Sequence, residues 1–229
     1  MTPEIRSFES SKALAVALAG VVAAELAAVL VRRTRTAYAM PGEWAHPAFG
    51  EALIGHELDW ARVHVTTTDA AWPPRDRTTA AAGGSLAAND VPPGVRYARM
   101  DSRAGTPDEA AALAADAITA HILPLDICVL AMGQDGRVAG LVPGGDRLEE
   151  AINPVCREPV LPVRAPGSGG VRLTLTLPAI QSAARICLVL SGPAALATLE
   201  RAMGRGPVND PPVRALVRGP RPLTAFHAR

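Results

Sequence analysis

The chain has 229 residues, 48% of them hydrophobic and 20% charged, with 23 basic residues against 22 acidic ones. That balance excludes a disordered or fibrous chain and leaves no net field for gripping a phosphate backbone, so no nucleic-acid partner is expected. Cysteines number three, and Cys128 and Cys187 lie inside apolar runs, which points to free thiols in a reducing compartment and away from a disulfide frame.

Residues 1–10 read as a loosely ordered leader, followed by an alanine-rich helix from about Ala13 to Val31 with Ser10 or Ser11 as its N-cap. This run is almost long enough to cross a bilayer. However, Glu25 inside it costs about 2.5–3.5 kcal/mol at a membrane centre, and Glu4 and Glu9 stand where a signal peptide carries basic residues. A buried helix of a soluble, cytoplasmic protein with no membrane partner is expected. Thr36 to Met40 then reads as a strand, MPGEWAHP (40–47) as a loop, and about Ala48 to His56 as a helix. The β-branched run from Val63 to Thr68 is a strand ending at Asp69, and the prolines of AWPPRDR (71–77) predict a loop.

Thr106-Pro107-Asp108-Glu109 opens a helix to about Ala120, with threonine as cap, proline at the first helical position and acids in the first turn. The apolar run from Asp126 to Met132 predicts a buried parallel strand and leads into GQDGRVAGLVPGG (133–145). Next come the alternating RLTLTL (172–177), a helix from Pro178, the buried strand ICLVLS (186–191), and a helix from Gly192-Pro193 to about Met203. Strands and helices alternate without a fixed-period repeat or a Gly/Ser linker, which predicts a single α/β domain over 1–229 with a mainly parallel sheet. Ligands of such folds sit at the carboxyl ends of strands, here Met40-Pro41-Gly42, Asp69, Gly133 to Gly136 and Ser191-Gly192.

The glycine-rich loop permits close backbone approach to a ligand, and a tight turn requiring positive φ accounts for it equally well. Its spacing is neither that of a dinucleotide fingerprint nor that of a P-loop, and no cofactor or metal is called for.

The motifs together resemble the 6-phosphogluconolactonase family. DICVLAMGQDGRVAGLVPG (126–144), VRLTLTLPAIQSAARICLVLSG (171–192), LDWARVHVTTTDAAWPP (58–74) and RPLTAFHAR (221–229) are similar to its motifs in order and spacing. The resemblance implies a three-layer α/β/α sandwich with a Rossmann-like sheet, as in glucosamine-6-phosphate deaminases and ribose-5-phosphate isomerases. It also implies metal-free hydrolysis of 6-phosphoglucono-lactone to 6-phosphogluconate in the pentose phosphate pathway. The family's histidine, thought to activate water, corresponds to Arg137, and its D-E-R motif to Asp69-Ala70-Ala71. Its phosphate loop corresponds to MPGEWAHP, which carries Glu43, and its lysine after the strand glycine is missing from GPAALA (192–197).

By this reading Gly42, Arg75, Gly133, Gly136 and Arg172 bind substrate, with Arg77 as a further phosphate contact. Asp135 and Asp69 position water, and turn-forming roles explain both aspartates as well. Arg137 occupies the catalytic position, where a guanidinium cannot take a proton from water. His46 is the candidate replacement base, and His64 and His121 are spare ones. Two functions follow: a divergent sugar-phosphate lactone hydrolase, and a non-catalytic protein of the same fold that binds an anionic sugar or a protein partner. A monomer or weak dimer is expected.

Overall fold

The computed structural model describes residues 2–42, 46–74, 94–100, 104–167 and 170–229. Its strands are β1 (Glu4–Phe8), β2 (Thr36–Met40), β3 (Val63–Thr67), β4 (Asp69–Trp72), β5 (Arg96–Ala98), β6 (Ile127–Ala131), β7 (Val160–Arg164), β8 (Val171–Leu175), β9 (Arg185–Ser191) and β10 (Leu223–Ala228). Its helices are α1 (Ser11–Leu30), α2 (Pro47–Ile54), α3 (Pro107–His121), α4 (Leu148–Ala151), α5 (Leu177–Gln181), α6 (Gly192–Met203) and α7 (Val213–Val217). Seven strands form a sheet in the order β1-β10-β9-β6-β2-β3-β5, every neighbouring pair parallel.

Alternation along the central strands divides the core in two. Tyr38, Met40, Ile127, Val129, Cys187 and Val189 join α1 and α2 on one face, whereas Ala37, Ala39, Cys128, Leu130, Leu188 and Leu190 join α3, α5, α6 and α7 on the other. The result is the expected α/β/α arrangement. Helix α1 begins at the Ser10 cap, whose Oγ accepts from Ala13 N at 3.2 Å, and buries Leu14, Leu18, Val22 and Leu26 at helical spacing. Each leucine so buried contributes about 2 kcal/mol. By length and composition α1 could cross a membrane, with a mean hydropathy of 2.4. Here one face packs on the sheet, and Glu25 accepts from Arg185 Nε at 3.0 Å.

Two expectations are corrected. Residues 4–8 are not a loose leader: they form β1, an edge strand on β10, with Phe8 stacked 5.9 Å from Phe226. Asp69 does not end the strand region but starts β4, so Ala71 and Trp72 are extended, and residues 75–77 of the predicted loop lie outside the described residues. The alternating RLTLTL gives β8, which lies between β4 and β7 in a separate antiparallel sheet. That small sheet packs on the α3 side through Leu161, Val163, Leu173 and Leu175. The RLTLTL alternation of leucine with threonine, whose hydroxyls find hydrogen-bond partners, differs from a buried parallel strand that is apolar on both faces.

Candidate functional site

Strands β9, β6, β2 and β3 are consecutive neighbours, so their carboxyl ends, at Ser191, Ala131, Met40 and Thr67, lie along one edge of the sheet. The turn after β3 crosses directly to the small sheet. Thr68 N donates to Met40 O at 2.8 Å and Leu175 N donates to Thr68 O at 2.9 Å, which sets Asp69 beside both the β2 loop and β8.

Asp69 and Arg172 form the polar centre of this edge. Arg172 donates from Nε to Asp69 Oδ2 at 2.6 Å, with Nη2 at 2.5 Å, and the two side chains are 19% and 7% exposed. The other oxygen, Oδ1, accepts from Thr68 Oγ1 at 3.2 Å and, at 3.5 Å, from Gly42 N. A Cβ on Gly42 would run into the Asp69 carbonyl, so only glycine fits at this crossing. Gly42, Asp69 and Arg172, which the sequence reading assigned to one site, are therefore direct neighbours.

The second half of the site is the loop after β6. Gly136 N donates to Gly133 O and Gly133 N to Arg137 O, each at 3.0 Å, while Asp135 Oδ1 accepts from Arg137 N at 3.2 Å. Gly136 alone of Gly133, Gly136 and Gly140 has positive φ, +80°. Gly140 is required by packing, since a Cβ there would lie 2.7 Å from Thr174 Cβ and 3.2 Å from Arg172 Cβ, whereas one on Gly133 would meet only the movable side chains of Asp135 and Arg137, at 2.6 and 2.9 Å. Gly140 N also donates to Thr174 Oγ1 at 3.0 Å. The loop thus abuts the Arg172 strand, and the two halves meet at Gly140. Asp135 and Arg137 project outward, with side chains 50% and 58% exposed and 4.0 Å between Oδ1 and Nε.

Two histidines expected as bases serve the fold. His46 is the N-cap of α2, its Nδ1 accepting from Ala48 N at 3.2 Å. The proton of the neutral ring is then on Nε2, which leaves no lone pair to accept another. His64 is near the start of β3, away from the carboxyl edge, and its Nδ1 lies 2.8 Å from the carbonyl of His121. Burial holds the His64 ring below the usual imidazole range. Arg75, Arg77 and Glu43 lie outside the described residues.

Residues that sequence reasoning passed over hold the site in shape. Thr68 and Thr174 bond Asp69 and Gly140, and Thr198 of α6 donates to Gln134 O at 2.8 Å. The available signal was the threonine alternation of RLTLTL, whose polar side chains need partners inside a core. Among the described residues no cluster of three or more His, Cys, Asp or Glu side chains is placed to hold a metal ion. Burial pushes the Cys128 thiol up and that of Cys187 up to about 12, which suppresses the nucleophilic thiolates. An open depression of about 500 Å³ borders the far end of the glycine loop, at Pro143, Gly145, Asp146, Glu149 and Asp210, and contains none of the expected site residues.

Comparison with known proteins agrees with this arrangement. Residues 9–223 match the family model described as glucosamine-6-phosphate isomerases/6-phosphogluconolactonase. The chain is 35% identical to a 6-phosphogluconolactonase of Rhizobium meliloti, with 95% of both chains covered. It is 33% identical to one of Pseudomonas putida, over 95% of this chain and 90% of that one. A 6-phosphogluconolactonase crystal structure from Shewanella baltica shares the fold, with a TM-score of 0.88, 23% identity, and 99% of this chain and 98% of that chain covered. A monomeric glucosamine-6-phosphate deaminase shares it at a TM-score of 0.71 and 14% identity, over 99% and 97% of the two chains. With a family model spanning nearly the whole chain and relatives above 30% identity along its length, this protein belongs to the glucosamine-6-phosphate isomerase/6-phosphogluconolactonase family.

Proposed function

We propose that this chain hydrolyses 6-phosphogluconolactone to 6-phosphogluconate as a cytoplasmic enzyme, monomeric or weakly dimeric. The observation that carries this reading is the placement of Gly42, Asp69 and Arg172 at the same sheet edge as the glycine loop after β6, which touches the Arg172 strand through Gly140, in a chain similar along its length to 6-phosphogluconolactonases. Asp69 fixes the Arg172 guanidinium, which supplies positive charge for the substrate's phosphate, and Gly42 lets the backbone come close.

Asp135 is the group best suited to activate water. One oxygen is tied to its own loop by Arg137 N, and the carboxylate is half exposed. Water adds to the lactone carbonyl carbon while Asp135 accepts its proton. The positive guanidinium of Arg137 stabilises the charge of the oxyanion. The bond from the carbonyl carbon to the ring oxygen then breaks, and that oxygen takes up the proton. Lactones are activated esters, so positioning and electrostatics supply much of the acceleration.

Arg137 in place of a histidine favours a second reading, in which the same site binds the sugar phosphate without turning it over. Freshly generated 6-phosphogluconolactone, assayed for acid release above spontaneous opening, separates the two. Turnover that falls at least tenfold in Asp135→Asn supports hydrolysis through Asp135. Saturable binding of 6-phosphogluconate with no turnover supports the second reading.

A further inference from the structure

Arg214, in α7, is 3% exposed, and no carboxylate pairs with it among the described residues. Backbone carbonyls surround the guanidinium instead. Nε donates to Ala202 O at 3.2 Å, and Nη2 donates to Arg201 O at 3.0 Å and to Arg205 O at 3.5 Å. Nη1 donates to Pro207 O at 2.6 Å and to Asp210 O. Arg201 and Ala202 belong to the last turn of α6, where carbonyls lack helical partners and a cation is favoured. One side chain thus closes α6 and gathers the connection from 204 to 210, which wraps so closely that a Cβ on Gly206 would lie 2.6 Å from Nη1.

That connection leads straight to the glycine loop. Pro211 packs against Gly136 and leaves no room for a Cβ there, and Val213 N donates to Gly136 O at 3.0 Å. From the other side, Thr198 of α6 holds Gln134 O. Both tethers of the loop that presents Asp135 and Arg137 therefore belong to the unit that Arg214 ties together.

We infer that Arg214 is a positioning residue: it sets the 207–213 connection against Gly136 and so fixes the geometry of the 133–137 loop. Its role in turnover rests on the hydrolytic reading given above, whereas its hold on the loop does not. A lysine cannot substitute fully, because its single ammonium cannot span acceptors distributed around a planar five-donor fork.

The experiment compares the wild type with Arg214→Met and Arg214→Lys by amide hydrogen exchange and by kcat and KM for 6-phosphogluconolactone. Arg214→Met is expected to speed exchange at Gly136 and Arg137 at least tenfold, with the buried amides of β6 and β9 unchanged. It should also lower kcat about ten- to hundredfold, as a loop displaced by about 1 Å would, with KM within threefold. Arg214→Lys should fall between the two. Faster exchange confined to 201–210, with 133–138 at wild-type rates, would overturn the inference, as would an unchanged kcat in an active enzyme. If the wild type shows no turnover, the hydrolytic reading fails and the exchange data alone decide the role of Arg214. Should Arg214→Met not fold, Arg214→Lys decides in the same way: faster exchange in 133–138 supports the inference and wild-type exchange refutes it.

Discussion

Arg172 and Arg137 have the same side chain in opposite settings. Arg172 is held by Asp69 in a mostly buried pair, whereas Arg137 extends from its loop with more than half its side chain exposed. Breaking the buried pair leaves a guanidinium without its counter-charge, so Asp69→Asn should cost about 3 kcal/mol of unfolding free energy. Urea denaturation measures this, and a loss below about 1 kcal/mol would show that solvent screens the pair. At Arg137 the expected gain is in rate. Arg137→His introduces a group with an ordinary value near 6.5 beside Asp135, and general-base help is worth about 10²- to 10⁴-fold. The kcat of this variant should rise with pH through the range near 6.5, and a kcat unchanged from wild type would show that position 137 does not face the reacting carbonyl.

At the scale of elements, sequence was most informative where a single physical signal dominated. The Thr106 cap forms as expected, and Glu109 completes it as a capping box, each side chain bonding the other residue's backbone N–H, at 3.2 and 3.0 Å. The buried strands β6 and β9 also lie where their apolar runs predict. What could not be read was the partner of each strand. β1 has mostly exposed residues and no apolar run, and it becomes a strand only because β10, over 200 residues away in sequence, offers an edge. Likewise the alternation of β8 was visible, but its assignment to a second sheet depends on β4 and β7. In the glycine loop the positive φ of Gly136 matches the turn reading, but the loop also places Ala139 at φ 52°, a conformation that side-chain-bearing residues resist. Ala139→Gly should therefore stabilise the protein by about 0.5–1 kcal/mol, the relief of that strain less the added freedom of the unfolded chain. A destabilised variant would mean that the alanine methyl contributes more by packing than it costs in strain.

For the whole molecule, the division of labour between the two ends of the sheet sets the expected response to pH and to substrate. His64, at the end away from the site, is buried with its ring held below the usual imidazole range, chiefly by loss of solvation. The unfolded chain therefore takes up a proton near pH 6.5 that the folded chain resists, so this contribution to stability is present above about pH 6.5 and is lost as pH falls below it. Urea unfolding at pH 7.5 and 5.5 should show a smaller difference in His64→Gln than in wild type, and equal differences would exonerate His64.

The carboxyl edge of the sheet and its loops were legible in the sequence because family motifs occupy every strand end there. The linkage between those loops through Gly140, Thr174 and Asp69 was not, since it arises from the small antiparallel sheet. The central claim is that this edge opens a phosphorylated sugar lactone. Its most direct test is acid release by the wild-type chain from freshly generated 6-phosphogluconolactone, with the spontaneous rate subtracted. The account predicts a saturable rate above background, slower than in Arg137→His. A wild-type rate indistinguishable from spontaneous opening at saturating protein would contradict it.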